Sequence, residues 1–356
     1  MAYISLKKSS LEHNYKFITE QFEERNISFG VVSKLLCGTK KYLQELINLG
    51  VHEVHDSRIS NLKAVKQIDS NIQTVYIKPP AKKGIPSLVK YADVSFNTEL
   101  STIELISEEA QRQNRLHKII IMIEMGDLRE GVMGEQLLSF YGQIFQLPNI
   151  EVVGIGTNLN CLHGVMPSQD KLIQLSLYKQ LIEATFNRKI PWVSGGTSVV
   201  FPLLLTKQLP AGINHFRVGE MLYFGNNLFT DQPIHGMKSD VFTLHAQIIE
   251  LIEKPKVPIG ELATNPSGEE FEIDEEDFGK KSYRALLDFG LLDIKTDFLI
   301  PKSKDITITG ASSDMIVVDL GKSKKNLKVG DWIKFELKYM GALTLLSSNY
   351  IEKVVV

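Results

Sequence analysis

Ser28-Phe-Gly-Val-Val-Ser-Lys34 is a short apolar, β-branched run, followed by Leu35-Leu36-Cys37-Gly38 and then by a longer helical pattern. A run of this length bounded by turn residues reads as a buried strand. The same alternation recurs at Glu53-Val-His55, Gln73-Thr-Val-Tyr-Ile77, Val94-Ser-Phe96, Lys118-Ile-Ile-Ile-Met-Ile-Glu124, Glu151-Val-Val-Gly-Ile-Gly156, Trp192-Val-Ser194 and His215-Phe-Arg-Val218. Strands that alternate with helices build a parallel sheet, and eight of them predict a closed (β/α)8 barrel of the TIM type over residues 8–225. An open doubly wound sheet is the alternative, but no glycine-rich dinucleotide turn follows the first strand.

Lys34 is the unusual member of its run. An ammonium buried in an apolar strand without a partner is costly, so the group gives up its proton or finds a counter-charge. A neutral, desolvated lysine is what Schiff-base chemistry needs. The alternative is a lysine at the strand end whose amine reaches water.

After residue 225 the texture changes to short strands between polar and Gly/Pro turns. These are Val241 to Leu251, Tyr283 to Phe289, Ile306 to Thr309, Met315 to Leu320 and Trp332 to Leu337. They predict a separate all-β domain over residues 226–356, and residues 1–7 are open to being one further strand of it. The acidic stretch Glu269 to Asp277 and the cluster Lys322-Ser-Lys-Lys325 read as solvated loops.

Composition narrows the function classes. With 356 residues, 43% hydrophobic and 23% charged, the chain has the make-up of an ordinary globular enzyme of more than one domain. Forty basic against forty-two acidic residues leave a charge of −2, with no basic block of the kind that grips nucleic acid. Two cysteines, Cys37 and Cys161, without metal-ligand spacing imply a reducing compartment, and no metal site is expected. No run of eighteen apolar residues and no apolar leader occur, so a cytoplasmic protein without a membrane partner is expected.

Barrel chemistry gathers where strands end. Ser194-Gly-Gly-Thr-Ser198 and Arg217-Val-Gly-Glu220 are late strand ends whose glycines permit close backbone approach to a phosphate. Met125-Gly-Asp-Leu-Arg-Glu-Gly131 sets Arg129 in a glycine-flanked loop, for which a plain surface turn is the alternative. Asn158 and Asn160 alternate after the next strand and are expected to face one mouth. A family-independent rival is a glycoside-cleaving barrel using Glu124 and Asp127 as paired carboxylates.

Lys34 on the first barrel strand, the Gly-Asp-Leu-Arg-Glu-Gly loop, the Ser-Gly-Gly-Thr-Ser turn and Phe216-Arg-Val-Gly-Glu220 occur in one order. Together they resemble the alanine racemase-like pyridoxal phosphate enzymes of fold type III, most closely the ornithine racemase branch. The resemblance continues through Glu253 to Gly260, Gly310-Ala-Ser-Ser-Asp314 and Ser348 to Lys353. It implies pyridoxal 5'-phosphate bound covalently to Lys34, with Lys34 also acting as an acid/base group at the substrate α-carbon. It implies Arg217 facing the pyridine nitrogen, and a phosphate cradle of Gly196, Thr197, Ser198 and Gly219 with Ser194 nearby and Tyr350 as a further contact. Arg129 would lie near the phenolic oxygen or the substrate carboxylate, and Asn158 beside the ring.

The activity implied is racemisation of a free amino acid, ornithine, lysine or alanine-like, by a homodimer with shared active sites. A pyridoxal phosphate carrier without turnover is the alternative. The segment Glu261 to Gly268 lacks the tyrosine that serves alanine racemase as second base, so Asp314 and Asp293 are the candidates for that role. Met315 and Leu291-Leu292 replace polar residues expected in the ornithine branch, and Met315 also speaks against a metal-dependent lyase on this fold.

Overall fold

The computed structural model describes residues 2–230, 232–264, 272–324 and 326–356. The chain divides into two units, Ser9–Ser239 and Met1–Lys8 with Asp240–Val356. Strand β1 (Tyr3–Leu6) belongs to the second of these.

The first unit is the expected barrel. Strands β2 (Ser28–Val32), β3 (Glu53–Asp56), β4 (Gln73–Tyr76), β5 (Val94–Asn97), β6 (His117–Met122), β7 (Ile150–Gly156), β8 (Trp192–Thr197) and β9 (His215–Val218) close in sequence order. Closure is made by β9 pairing back on β2, which sets Gly30 beside Arg217 and Val31 beside Val218. The strands are largely buried on both faces because helices cover the outside and side chains fill the inside. Val75, Val94, Phe96, Ile120, Met122 and Val153 form one such interior cluster. The helix Leu100–Arg112 shows the covering pattern, burying Ile103, Ile106 and Ala110 at helical spacing.

β2 ends two residues earlier than its apolar run suggested. Ser33 takes a helical conformation, and the chain enters a single turn over Lys34–Leu36 that buries Leu35 and Leu36. The two leucines that made the run look like a longer strand are buried by this turn.

The second unit is antiparallel except for one pair. Its spine is β10 (Phe242–Pro255), which pairs with β1 and β15 along its first half and with β11 along its second. A register shift between Ile248 and Glu250 marks the changeover, the usual device by which one strand bends. Strands β11 (Lys281–Leu287), β12 (Leu299–Pro301), β13 (Thr307–Ala311), β14 (Ile316–Asp319), β15 (Trp332–Leu337) and β16 (Glu352–Val355) complete it. The parallel pair is β1 with β16. β15 alternates strictly between exposed and buried, the signature of a sheet wet on one face. Two short strands, β12 and β16, and the helix Tyr339–Ser347 gave no signal in the sequence. Of the acidic stretch, residues 269–271 lie outside the described residues, as does Lys325; Glu272 to Glu276 are exposed, as expected.

Candidate active site

Register brings the late glycine turns to the strand that leads to Lys34. Because Gly30 pairs with Arg217 and Val31 with Val218, the next residues, Val32 and Gly219, meet at the barrel's C-terminal end. A Cβ at Gly219 would lie 3.1 Å from Val32 Cβ, and Tyr223 donates its hydroxyl to the Val32 carbonyl at 3.1 Å. Lys34 stands just beyond, on the turn after β2, and is exposed. The desolvated lysine expected from its run is therefore corrected: leaving the strand at Val32 lifts residue 34 to the rim.

The Ser-Gly-Gly-Thr-Ser segment is a bulge. Ser194 pairs with His215 and Thr197 with Arg217, so β8 spends one more residue than β9 over this stretch. Gly196 takes φ +140, a conformation that a side chain would strain. Beyond it, Ser198 is buried, and its Oγ receives the amides of Gly219 and Met221, each at 3.4 Å. The two glycine turns are thus neighbours joined through one hydroxyl, with Thr197 half-buried at their edge.

Ser194, expected beside the cradle, lies inside the barrel against Arg217. It is fully buried, and its Oγ accepts from Arg217 Nη1 at 2.7 Å and meets His215 Nδ1 at 3.0 Å. Its place on the strand, before the bulge, turns it into the barrel.

Arg217 is 3% exposed and lies over the Phe96 ring, 5.3 Å from its centroid. Nη2 donates to the Thr157 carbonyl at 2.8 Å and to Asn158 Oδ1 at 3.2 Å. Burial pulls its pKa down to about 10, which still leaves a cation at neutral pH. Asn158 is buried at its side, and Asn158 Nδ2 has no hydrogen-bond partner among the described residues. Asn160 does not share that mouth: a left-handed backbone, φ 61, breaks the alternation, and its amide points to Met166 Sδ at 3.7 Å.

The loop after β6 is anchored by Asp127, which sequence reading offered as one carboxylate of the glycosidase rival. Asp127 is 1% exposed, and its carboxylate receives the amides of Cys161 and Leu162, both at 2.9 Å, and of His163 and Val165, both at 3.2 Å. Desolvation works to raise its pKa, but the four amides outweigh it and hold the carboxyl below its usual range. Asp127 thereby ties the loop carrying Arg129 to the one following Asn158. Arg129 is exposed and paired with Glu130. Glu124 accepts the amides of Gly126 and Leu128, so both carboxylates of the glycosidase rival are committed to backbone.

In the second unit, the two candidate second bases lie on loops that touch. Leu291 and Leu292 donate their amides to the Ser312 and Ser313 carbonyls, at 2.9 and 2.8 Å, and a Cβ at Gly290 would strike the Asp314 and Met315 amides at 2.5 Å. Asp314 is exposed and accepts from Ser312 Oγ at 3.0 Å; Asp293 accepts the Gly290 amide at 3.3 Å. Tyr350 is 85% exposed on the same unit.

Residues 6–227 match the family described as alanine racemase, N-terminal domain. The chain belongs to the alanine racemase family. Over 351 residues it is 37% identical to the ornithine racemase of Acetoanaerobium sticklandii, covering 98% of each chain. It is 30% identical to the lysine racemase of Thermotoga maritima, covering 99% of this chain and 97% of the relative. Among solved structures, the alanine racemase of Bartonella henselae with covalently bound pyridoxal phosphate superposes with a TM-score of 0.74 at 16% identity, covering 100% of this chain and 99% of that one. The alanine racemase of Streptomyces coelicolor superposes with a TM-score of 0.76 at 14% identity, covering 100% and 98%. At such identities these two speak for the fold.

Sequence reading missed the anchoring role of Asp127 and the interior cluster of Glu53, His55 and His215, whose ligating atoms lie within 4.8 Å of one another. The overlooked signal for the cluster is Glu and His two apart on a barrel strand, which places both on one face.

Proposed function

We propose that this member of the family is a pyridoxal phosphate-dependent racemase of a free diamino acid, ornithine or lysine, working as a cytoplasmic homodimer. The cofactor and the amino-acid racemase class follow from the family and from the end-to-end likeness to two racemases. The diamino acid rests on those relatives' names, the location on cysteine use, and the dimer on two candidate bases that lie outside the barrel unit.

The carrying observation is the strand register that sets the Gly219 turn and Arg217 alongside the strand leading to Lys34. The residues suit the cofactor on a further ground, since the unpartnered Asn158 Nδ2 beside Arg217 is a buried donor that a ring substituent would satisfy. When bound, the cofactor supplies the electron sink for the charge left at the α-carbon. Lys34 holds it and moves a proton on one face of that carbon. Arg217, which cannot donate a proton to a neutral ring nitrogen without becoming an uncharged guanidine, keeps that nitrogen unprotonated. Gly196, Thr197, Ser198 and Gly219 hold the phosphate, with Tyr350 as a further contact, and Arg129 exchanges Glu130 for the substrate carboxylate. Asp314 or Asp293 from a partner subunit moves the proton on the opposite face.

The test is the visible absorption of protein incubated with pyridoxal phosphate, together with α-hydrogen exchange of D- and L-ornithine and lysine in deuterated water. A band that disappears in Lys34→Ala, with exchange of either substrate, is expected. A band unchanged by that substitution refutes the lysine assignment, and a band without exchange of any amino acid points to a carrier.

A further inference from the structure

Toward the N-terminal ends of the strands, beneath Arg217, the barrel encloses Glu53, His55 and His215. Both histidines are fully buried. Glu53 Oε1 bonds to His55 Nε2 at 2.5 Å and to His215 Nε2 at 2.8 Å, and Oε2 accepts from Gln73 Nε2 at 2.6 Å. Gly30 makes the room: a Cβ there would fall 2.1 Å from His55 Nε2 and 2.5 Å from Glu53 Oε1. Trp192 stacks on the His215 ring at 4.6 Å and fixes its plane. From there the chain of contacts continues through His215 Nδ1 and Ser194 Oγ to Arg217 Nη1.

Hydrogen accounting gives this chain a direction. Arginine only donates, so Ser194 Oγ accepts from Arg217 and has its own proton to give. The relay assigns that proton to His215 Nδ1 at 3.0 Å, an assignment that puts the imidazole proton on Nε2, aimed at Glu53. His55 adds a second Nε2 proton to the same oxygen, and its bare Nδ1 is the atom left without a partner. Every bond then runs toward the Glu53 carboxylate, the arrangement in which successive hydrogen bonds polarise one another. Among the described residues, no carboxylate touches Arg217 directly.

We propose that Glu53, His215 and Ser194 are positioning residues, a one-way hydrogen-bond relay that fixes the orientation of the Arg217 guanidinium from the floor of the barrel. The proposal rests on the reading of Arg217 as the partner of the cofactor's ring nitrogen. Charges in the core agree with it. Desolvation works to raise Glu53, but the bonds from His215 and His55 outweigh it and hold the carboxyl well below its usual range, while burial lowers His55. A metal ion is the competing use of two histidines and a carboxylate. Ligands about 2.1 Å from a shared ion stand roughly 3 Å or more apart, whereas the separations here are 2.5 and 2.8 Å, those of hydrogen bonds.

Two measurements test the relay. In cofactor-free protein, nitrogen NMR of the neutral histidine rings is expected to show the His215 proton on Nε2. In the holoenzyme, Glu53→Gln and Ser194→Ala are expected to shift the visible band or its pH midpoint and to lower kcat by roughly tenfold or more, the worth of a hydrogen bond to a charged group, with a much smaller change in KM. Should Glu53→Gln fail to fold, Ser194→Ala removes a single hydroxyl from the middle of the relay and decides alone. Protonation of His215 on Nδ1 overturns the proposal. So does a fall in melting temperature with band and kcat unchanged, or stoichiometric Zn²⁺ binding that displaces the Nε2 protons. A wild-type protein that forms no band refutes the reading of Arg217 instead, and leaves the tautomer result standing.

Discussion

Gly219 and Val32 touch so closely that a Cβ on residue 219 would sit 3.1 Å from the Val32 Cβ, which couples the turn after β9 to the strand leading to Lys34. Gly219→Ala must therefore displace one of the two segments, a strain of about 1 kcal/mol or more. The expected result is a loss of about tenfold in pyridoxal phosphate affinity, that strain passed on to binding. Titration of the visible band measures it, and an unchanged affinity removes Gly219 from the phosphate site.

Asp127 offers a charged acceptor to four backbone amides. Asp127→Asn replaces part of that acceptor with a donor facing donors, and should destabilise the barrel by about 2–3 kcal/mol in urea unfolding. Because the folded carboxyl is depressed, its contribution is fully present above the ordinary carboxylate range near pH 4. It is lost as pH falls through the lower folded value. The difference between wild type and variant should shrink in that acid window and stay constant above pH 5.

His117 is buried and bonded to Ser95 Oγ at 2.9 Å, and burial lowers its pKa to about 4. The unfolded chain takes up a proton near pH 6.5 while the folded chain resists until near pH 4, so stability falls as pH drops through that window. The loss attributable to this group is on the order of 3 kcal/mol. His117→Gln, which keeps a donor and an acceptor, should unfold with a shallower pH dependence between 6.5 and 4. Parallel profiles would show that His117 is not the group responsible.

Asp293 and Asp314 are separated by substitution. Alanine at the true second base should lower racemisation by about 100-fold or more, the usual worth of a positioned acid/base group. The proton that Lys34 moves on its own face should continue to exchange with deuterated water. If both variants racemise at the wild-type rate, neither aspartate has the role.

Much of this molecule could be read without coordinates, because its signals are local. Apolar runs of strand length between helical patterns depend only on neighbouring side chains, so the barrel and the all-β character of the strands that follow it were legible. Arg217, Ser198 and Gly219 stood out for the same reason, as short motifs at strand ends. The register of β9 on β2 was decided in three dimensions, and with it the meeting of Gly219 and Val32, residues far apart in the chain. Lys34 was placed too deep, since whether a leucine pair continues a strand or buries itself by turning depends on what lies above it. The buried anchoring roles of Asp127 and Glu53 were not legible. Only the tertiary structure shows why they can be buried: four amides converge on one, and two imidazoles and an amide on the other, and a buried carboxylate persists only where such donors repay its lost water.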